Sequence, residues 1–144
     1  MIKIVRAKPS ECQKVRRFEQ MVWDEPCITS PWDIMFFVSY GYVFLAKEKE
    51  KIVGAIVAFK TKNDEVKITD WLVAKKYRRT GVGTKLYKRL KKDTKGMPII
   101  AFVESKNTAS LEGHKKLGFR CIKEVKDPFY LGEKKIWSIM KNLG

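Results

Sequence analysis

The chain has 144 residues, 44% hydrophobic and 33% charged, with a formal net charge of +15. That length suits one domain with a core of its own, and the composition excludes a disordered or fibrous chain. No apolar run reaches the roughly 18 residues that would span a bilayer. The opening Met1-Ile2-Lys3-Ile4-Val5-Arg6 lacks the apolar stretch and cleavage site of a secretory signal, so a cytoplasmic protein without a membrane partner is expected. Cys12, Cys27 and Cys121 are odd in number and far apart, and His114 is the one histidine. These argue for reduced thiols and against a metal site.

In chain order, Ile2–Arg6 alternates like a strand, and Pro9 suits the first turn of a helix. Cys12, Val15, Phe18 and Val22 then recur at helical spacing, and Asp24-Glu25-Pro26 breaks the helix. Ser30-Pro31 starts a second helix that Gly41 stops. Tyr42–Ala46 and Ile52–Phe59 read as a hairpin joined by the charged stretch Lys47-Glu48-Lys49-Glu50-Lys51, and Val66–Val73 as the next strand. Val82, Leu86 and Leu90 mark a third helix, ended by Gly96. Pro98–Val103 is a short buried strand. Asn107 caps a fourth helix that Gly118 terminates. Phe119–Val125 and Lys135–Met140 make a last strand pair around the loop from Asp127 to Gly132. The order β-α-α-β-β-β-α-β-α-β-β gives one α/β domain over residues 1–144, with a mixed, mostly antiparallel sheet of about seven strands and four helices.

The stretch Arg78-Arg79-Thr80-Gly81-Val82-Gly83-Thr84 joins the Val66–Val73 strand to the third helix. Its glycines admit a close ligand, and a helix N-terminus offers free N–H groups to phosphate oxygens. Arg78, Arg79 and Thr84 can add charge and a hydroxyl. The spacing fits neither nucleoside-triphosphate nor dinucleotide loops. One strand later, Asn107-Thr108-Ala109-Ser110 opens a helix that runs to Lys116-Leu117-Gly118-Phe119.

Together these two segments resemble the GNAT N-acetyltransferase superfamily, and the order of elements resembles that fold throughout. In that family R-x-x-G-x-G cradles acetyl-CoA, and a later N-x-x-A…K-x-G-F segment borders its pantetheine arm. The resemblance implies a cofactor site of Arg78, Arg79, Thr80, Gly81, Val82, Gly83, Thr84, Asn107 and Ser110. It also implies that the strand before the loop splays from its neighbour, so that Leu72 and Val73 backbone N–H groups bind pantetheine and polarise the acyl carbonyl. Acetyl-CoA is the implied donor and a primary amine the acceptor, attacked directly without metal.

The family's Tyr proton donor to the CoA sulfur falls at His114, whose imidazolium can act as the acid or whose ring can simply hydrogen-bond. Asp70 occupies a common base position, with Glu104 a second candidate; either can equally be structural. The acceptor site of the resembling fold lies between the first two helices and the last strand pair. Trp23, Trp32, Phe36, Phe37, Tyr40, Phe129 and Tyr130 fall there, with Asp24, Glu25 and Asp33 interleaved. These rings either fill the core or receive a cationic amine. A protein lysine or N-terminus, a polyamine, an amino acid and a small drug-like amine all fit as acceptor.

Two other readings remain: a catalytically idle acyl-CoA sensor of the same fold, and a basic nucleic-acid-binding protein. The second is disfavoured because the lysines are spread along the whole chain. A lysine-rich surface of the kind thermophiles carry also explains the charge. The final strand pair offers an edge for a homodimer.

Overall fold

The computed structural model describes residues 1–23 and 29–143. Strands β1 (Ile2–Arg6), β2 (Tyr42–Glu48), β3 (Lys51–Lys60) and β4 (Val66–Val73) form an antiparallel meander. β5 (Ile99–Glu104) lies parallel to β4, and β7 (Ile136–Asn142) runs antiparallel between β5 and the edge strand β6 (Arg120–Lys126). The sheet order is therefore β1-β2-β3-β4-β5-β7-β6. The helices are α1 (Cys12–Val22), preceded by a 3-10 turn at Pro9–Glu11, then α2 (Pro31–Tyr40), α3 (Val82–Asp93) and α4 (Thr108–Lys116). The expected element order holds throughout. Among the described residues, no helix is long and apolar enough to cross a membrane.

The central strands are apolar on both faces because helices cover both. On one face Phe44, Val53 and Ile56 meet Val82, Leu86, Tyr87 and Leu90 of α3. On the other, Val43, Leu45, Ala55 and Val57 meet Val15 and Phe18 of α1 and Ile34 and Val38 of α2. Each such fully buried side chain contributes about 1.5–3 kcal/mol relative to exposure. Gly54 allows α3 its close approach: a Cβ there would stand 3.1 Å from both Leu86 Cδ1 and Val82 Cγ1.

One expectation changes and one open alternative is decided. The charged stretch between the hairpin strands is mostly strand, and only Lys49 and Glu50 turn, with Lys49 at φ 56°. Its flanking residues have partners that hold them in the sheet: Lys47 pairs with Glu11, and Glu48 accepts from the Tyr77 hydroxyl at 2.7 Å. The aromatic residues near α2 and the last loop are largely not core. Trp32, Phe36 and Tyr40 are 85%, 58% and 80% exposed, and Tyr130 is 93% exposed. Trp32, Phe36 and Tyr40 lie one helical turn apart on the outer side of α2, whereas Ile34 and Val38 take the inner side.

Candidate active site

β4 and β5 share only two ladder pairs, Val66 with Ile99 and Lys67 with Ile100. Beyond them the strands part, and the β4 edge facing β5 lies outside the ladder through Val73. A bulge contributes to this geometry. Val57 and Ala58 of β3 face Asp70 and Ile68, leaving Thr69 as the extra residue. Its hydroxyl donates to the Val57 carbonyl at 3.1 Å. The extra residue reverses the alternation. Ile68, Trp71 and Val73 therefore share the α3 face, while Leu72 packs with the α1–α2 core.

At the end of β4 the chain turns through a second 3-10 turn (Lys75–Tyr77) into α3. Arg79 has φ 63° and Gly81 φ 86°, so two left-handed residues aim the loop into the helix. Gly81 is the N-cap of α3, and no side-chain oxygen among the described residues caps that end. The contrast is sharp. Ser30 caps α2 through the Asp33 N–H at 3.1 Å, and Asn107 caps α4 through the Ser110 N–H at 3.1 Å. The first-turn amides of α3 are thus left for another acceptor, with Arg79 and Lys85 nearby in sequence and no acidic residue in the turn. Thr80 donates to the Tyr77 carbonyl, and the Arg78 Nε–H donates to the Val73 carbonyl at 3.1 Å. Thr84 is half-buried in the first turn.

His114 projects from α4 into a ring cluster, edge-on to Trp71 and Phe119 with centroids 5.1 Å away in each case. Its Nδ1 lies 2.7 Å from the Ser110 carbonyl and 3.4 Å from the Ser110 hydroxyl. A proton on Nδ1 therefore has an acceptor, which leaves the lone pair on Nε2. Burial lowers the His114 pKa below the usual imidazole range, only partly opposed by the Ser110 carbonyl. The neutral ring is the favoured form at neutral pH.

On the opposite face the splay opens into a cleft of about 530 Å³. Val22, Trp23, Leu72, Phe129 and Trp137 give it apolar walls; Glu104, Asp127 and Glu133 give it carboxylates, with Lys135 paired to Glu133 at 3.4 Å. Arg78 also lines it, on the side of the turn that leads into α3. Asp127 also organises the loop above, accepting from the Leu131 and Gly132 N–H groups at 2.9 Å each.

A family model described as the acetyltransferase (GNAT) family matches residues 8–119. The chain belongs to that family. Solved structures share its fold over nearly the whole length. Arabidopsis thaliana NAA60 in complex with acetyl-CoA superposes with a TM-score of 0.84 at 16% identity, covering 100% of both chains. The ribosomal-protein-S18-alanine N-acetyltransferase from Escherichia coli gives 0.81 at 18% identity, covering 99% of this chain and 93% of its own. Ard1 from Thermoplasma volcanium gives 0.80 at 21% identity, covering 99% and 97%. No curated protein matches the chain by sequence.

For this GNAT acetyltransferase the structure separates the sequence-derived candidates into three places. Arg79, Thr80, Gly81, Val82, Gly83 and Thr84 form the turn at α3. Asn107 and Ser110 organise the start of α4 and the His114 ring. Leu72 and Glu104 line the cleft, and Val73 ends the opened β4 edge. Asp70 is outside the cleft lining, and the charge it acts on is Lys67. Asp24, Glu25 and Cys27 lie outside the described residues. Sequence reasoning missed Glu133 and Trp137 in the cleft; the signal was their position in and just after the last loop. Among the described residues, no group of three or more His, Cys, Asp or Glu side chains is placed to hold a metal.

Proposed function

We propose that this acetyltransferase moves the acetyl group of acetyl-CoA directly to a primary amine, with the amino terminus of a peptide as the preferred acceptor. The observation that carries the reading is the splay of β4 from β5. It has an uncapped helix turn at its end and, against one face, an aromatic cleft that holds Glu104. The residues fit the donor. Gly81 has no heavy atom within 4 Å of a built Cβ, so the loop is open beside the free amides of α3. Lys75, Lys76, Arg79, Lys85 and Lys88 are exposed around that turn, a field that draws in a polyphosphate.

Acetyl-CoA supplies the activated acyl group as a thioester. This chain's residues supply alignment, charge and proton handling. The Ala74 N–H bonds across to the Val53 carbonyl of β3, so the Leu72 N–H faces β3 as well. Val73 presents its N–H from the opened edge to an acyl oxygen, a contribution of about 2.7–4 kcal/mol when such a donor is well placed. Glu104, in the cleft beside Leu72, is our choice for receiving the amine's proton, ahead of Asp70. Neutral His114 enters as a hydrogen-bond acceptor at Nε2. It serves a leaving thiolate as an acid only after taking up a proton itself.

The peptide acceptor is supported by the cleft's continuity. A second hollow of about 480 Å³, lined by Glu104, Ser105, Lys106, Glu133, Lys134, Lys135 and Ile136, shares Glu104, Glu133 and Lys135 with the first. An acceptor can therefore extend past its amine. Among similar structures, one is named a ribosomal-protein-S18-alanine N-acetyltransferase and another, Arabidopsis thaliana Naa50, is in complex with the bisubstrate analogue CoA-Ac-MVNAL. The basic outer face of α3 and the exposed rings of α2 lie against opposite faces of the sheet, an arrangement unlike a stacking platform for nucleic acid.

The test is calorimetric titration with acetyl-CoA followed by thiol release with short peptides and with polyamines. Binding plus release favouring peptides is expected. Release with polyamines alone would overturn the acceptor assignment, and no binding would overturn the donor site.

A further inference from the structure

An uncapped helix end frays unless something else holds it. In α3 that hold comes from β4. The Trp71 indole N–H donates to the Gly83 carbonyl in the first turn at 3.1 Å. The ring itself is fixed on several sides. It stacks on Tyr87 with centroids 5.3 Å apart and planes 25° from parallel, and it meets the His114 ring in a T-shaped contact at 5.1 Å. Tyr87 is fixed in turn, its hydroxyl accepting from Asn142 Nδ2 at 2.7 Å, an amide that also reaches the Leu117 carbonyl at 3.0 Å. One ring thus ties β4, the start of α3, the His114 side of α4 and, through Tyr87, β7.

An apolar residue at position 71 would fill the same space against Tyr87 without bonding to Gly83. The indole is the group that joins the opened strand to the turn.

We propose that Trp71 is a positioning residue for donor binding: its bond to Gly83 holds the first α3 turn at a fixed distance from the opened β4 edge. The pyrophosphate end and the acyl end of the donor are then read by one rigid unit. The proposal rests on the reading of that turn as the phosphate cradle. Gly83 suits this arrangement, since a Cβ there would meet the Trp71 Nε1 at 3.5 Å and Val73 at 3.6 Å, an ordinary contact.

The test is Trp71→Phe, which keeps the stacking ring and deletes the donor. A neutral hydrogen bond of ordinary strength predicts that acetyl-CoA dissociation constants rise about fivefold by calorimetry. With acetyl-pantetheine, a donor without the pyrophosphate, kcat/KM stays unchanged, while with acetyl-CoA it falls by the same factor. Equal affinity for acetyl-CoA in both proteins would overturn the proposal. So would an equal loss with both donors, which marks general loosening. A wild-type protein that fails to bind acetyl-CoA would instead remove the cradle reading. Should the variant not fold, NMR of the wild-type indole protons decides. The Trp71 signal is expected to exchange slowly and to shift with 3′-phospho-ADP, and a fast-exchanging, unmoved signal would overturn the role.

Discussion

Lys67 sits where β4 and β5 part, and replacing it by methionine is expected to stabilise the protein at neutral pH. Its ammonium lies 4.6 Å from the centre of the Phe102 ring and donates to the Ile68 carbonyl at 2.6 Å. Desolvation pushes its pKa down from 10.5 to about 8, opposed only in part by Asp70. That displacement equals roughly 3 kcal/mol of preference for the neutral amine. Methionine has similar length, removes the buried charge and keeps a favourable sulfur contact with Phe102. It also loses the bond to Ile68, worth about 1 kcal/mol, so Lys67→Met should gain about 2 kcal/mol at pH 7. For a chain of this size that raises the unfolding midpoint by about 6 °C. The folded pKa lies below the unfolded one, so the native chain binds fewer protons and gains stability as pH rises from about 8 to 10.5. The variant has no such gain, and its advantage should shrink over that window and end slightly negative. Urea unfolding of both proteins at pH 7 and pH 10 measures this directly. A variant less stable than the parent at pH 7, by a margin that ignores pH, would refute the desolvation argument.

Three further outcomes are expected. Gly81→Ala forces a side chain to φ 86° with no neighbour to clash, so the cost is backbone strain of about 1 kcal/mol, read as a lower unfolding midpoint together with weaker acetyl-CoA titration. Glu104→Gln should lower kcat about a hundredfold with little change in KM, while Asp70→Asn lowers it far less; the reverse ranking in steady-state assays would move the base to Asp70. The folded His114 pKa lies below its unfolded value, so the stability of the neutral ring is fully present above about pH 6.5 and lost as pH falls through the folded pKa. His114→Phe should flatten that acid-side loss in thermal unfolding scans between pH 7 and pH 5.

The legible parts of the sequence were those written in local chemistry. Val82, Leu86 and Leu90 announced a helix after the glycine turn, and Asn107 announced a helix start; the structure has both. The cleft was harder to see because its walls come from four distant segments, around Val22, Leu72, Glu104 and Glu133. Only the sheet order brings them together. The place of the α2 rings stayed open for a related reason. Trp32, Phe36 and Tyr40 follow the same helical spacing as a buried stripe, and spacing alone does not say which stripe faces inward. Ile34 and Val38 do, since β-branched side chains pack closely on the pleated sheet.

The bulge at Thr69 was readable in principle. Val66, Ile68, Trp71 and Val73 are apolar with the period of two broken once, between Ile68 and Trp71. That break has a consequence for the whole site. Without the extra residue, continued alternation would put Trp71 and Val73 on the α1–α2 side and send Leu72 toward α3. The indole would then miss Gly83, and the cleft would lose Leu72 from its wall. With it, Trp71 bonds to the first turn of α3 on one face while Leu72 fronts the cleft on the other. Under the proposed function, donor and acceptor then meet opposite faces of one opened strand. The gap between β4 and β5 is where the two faces communicate.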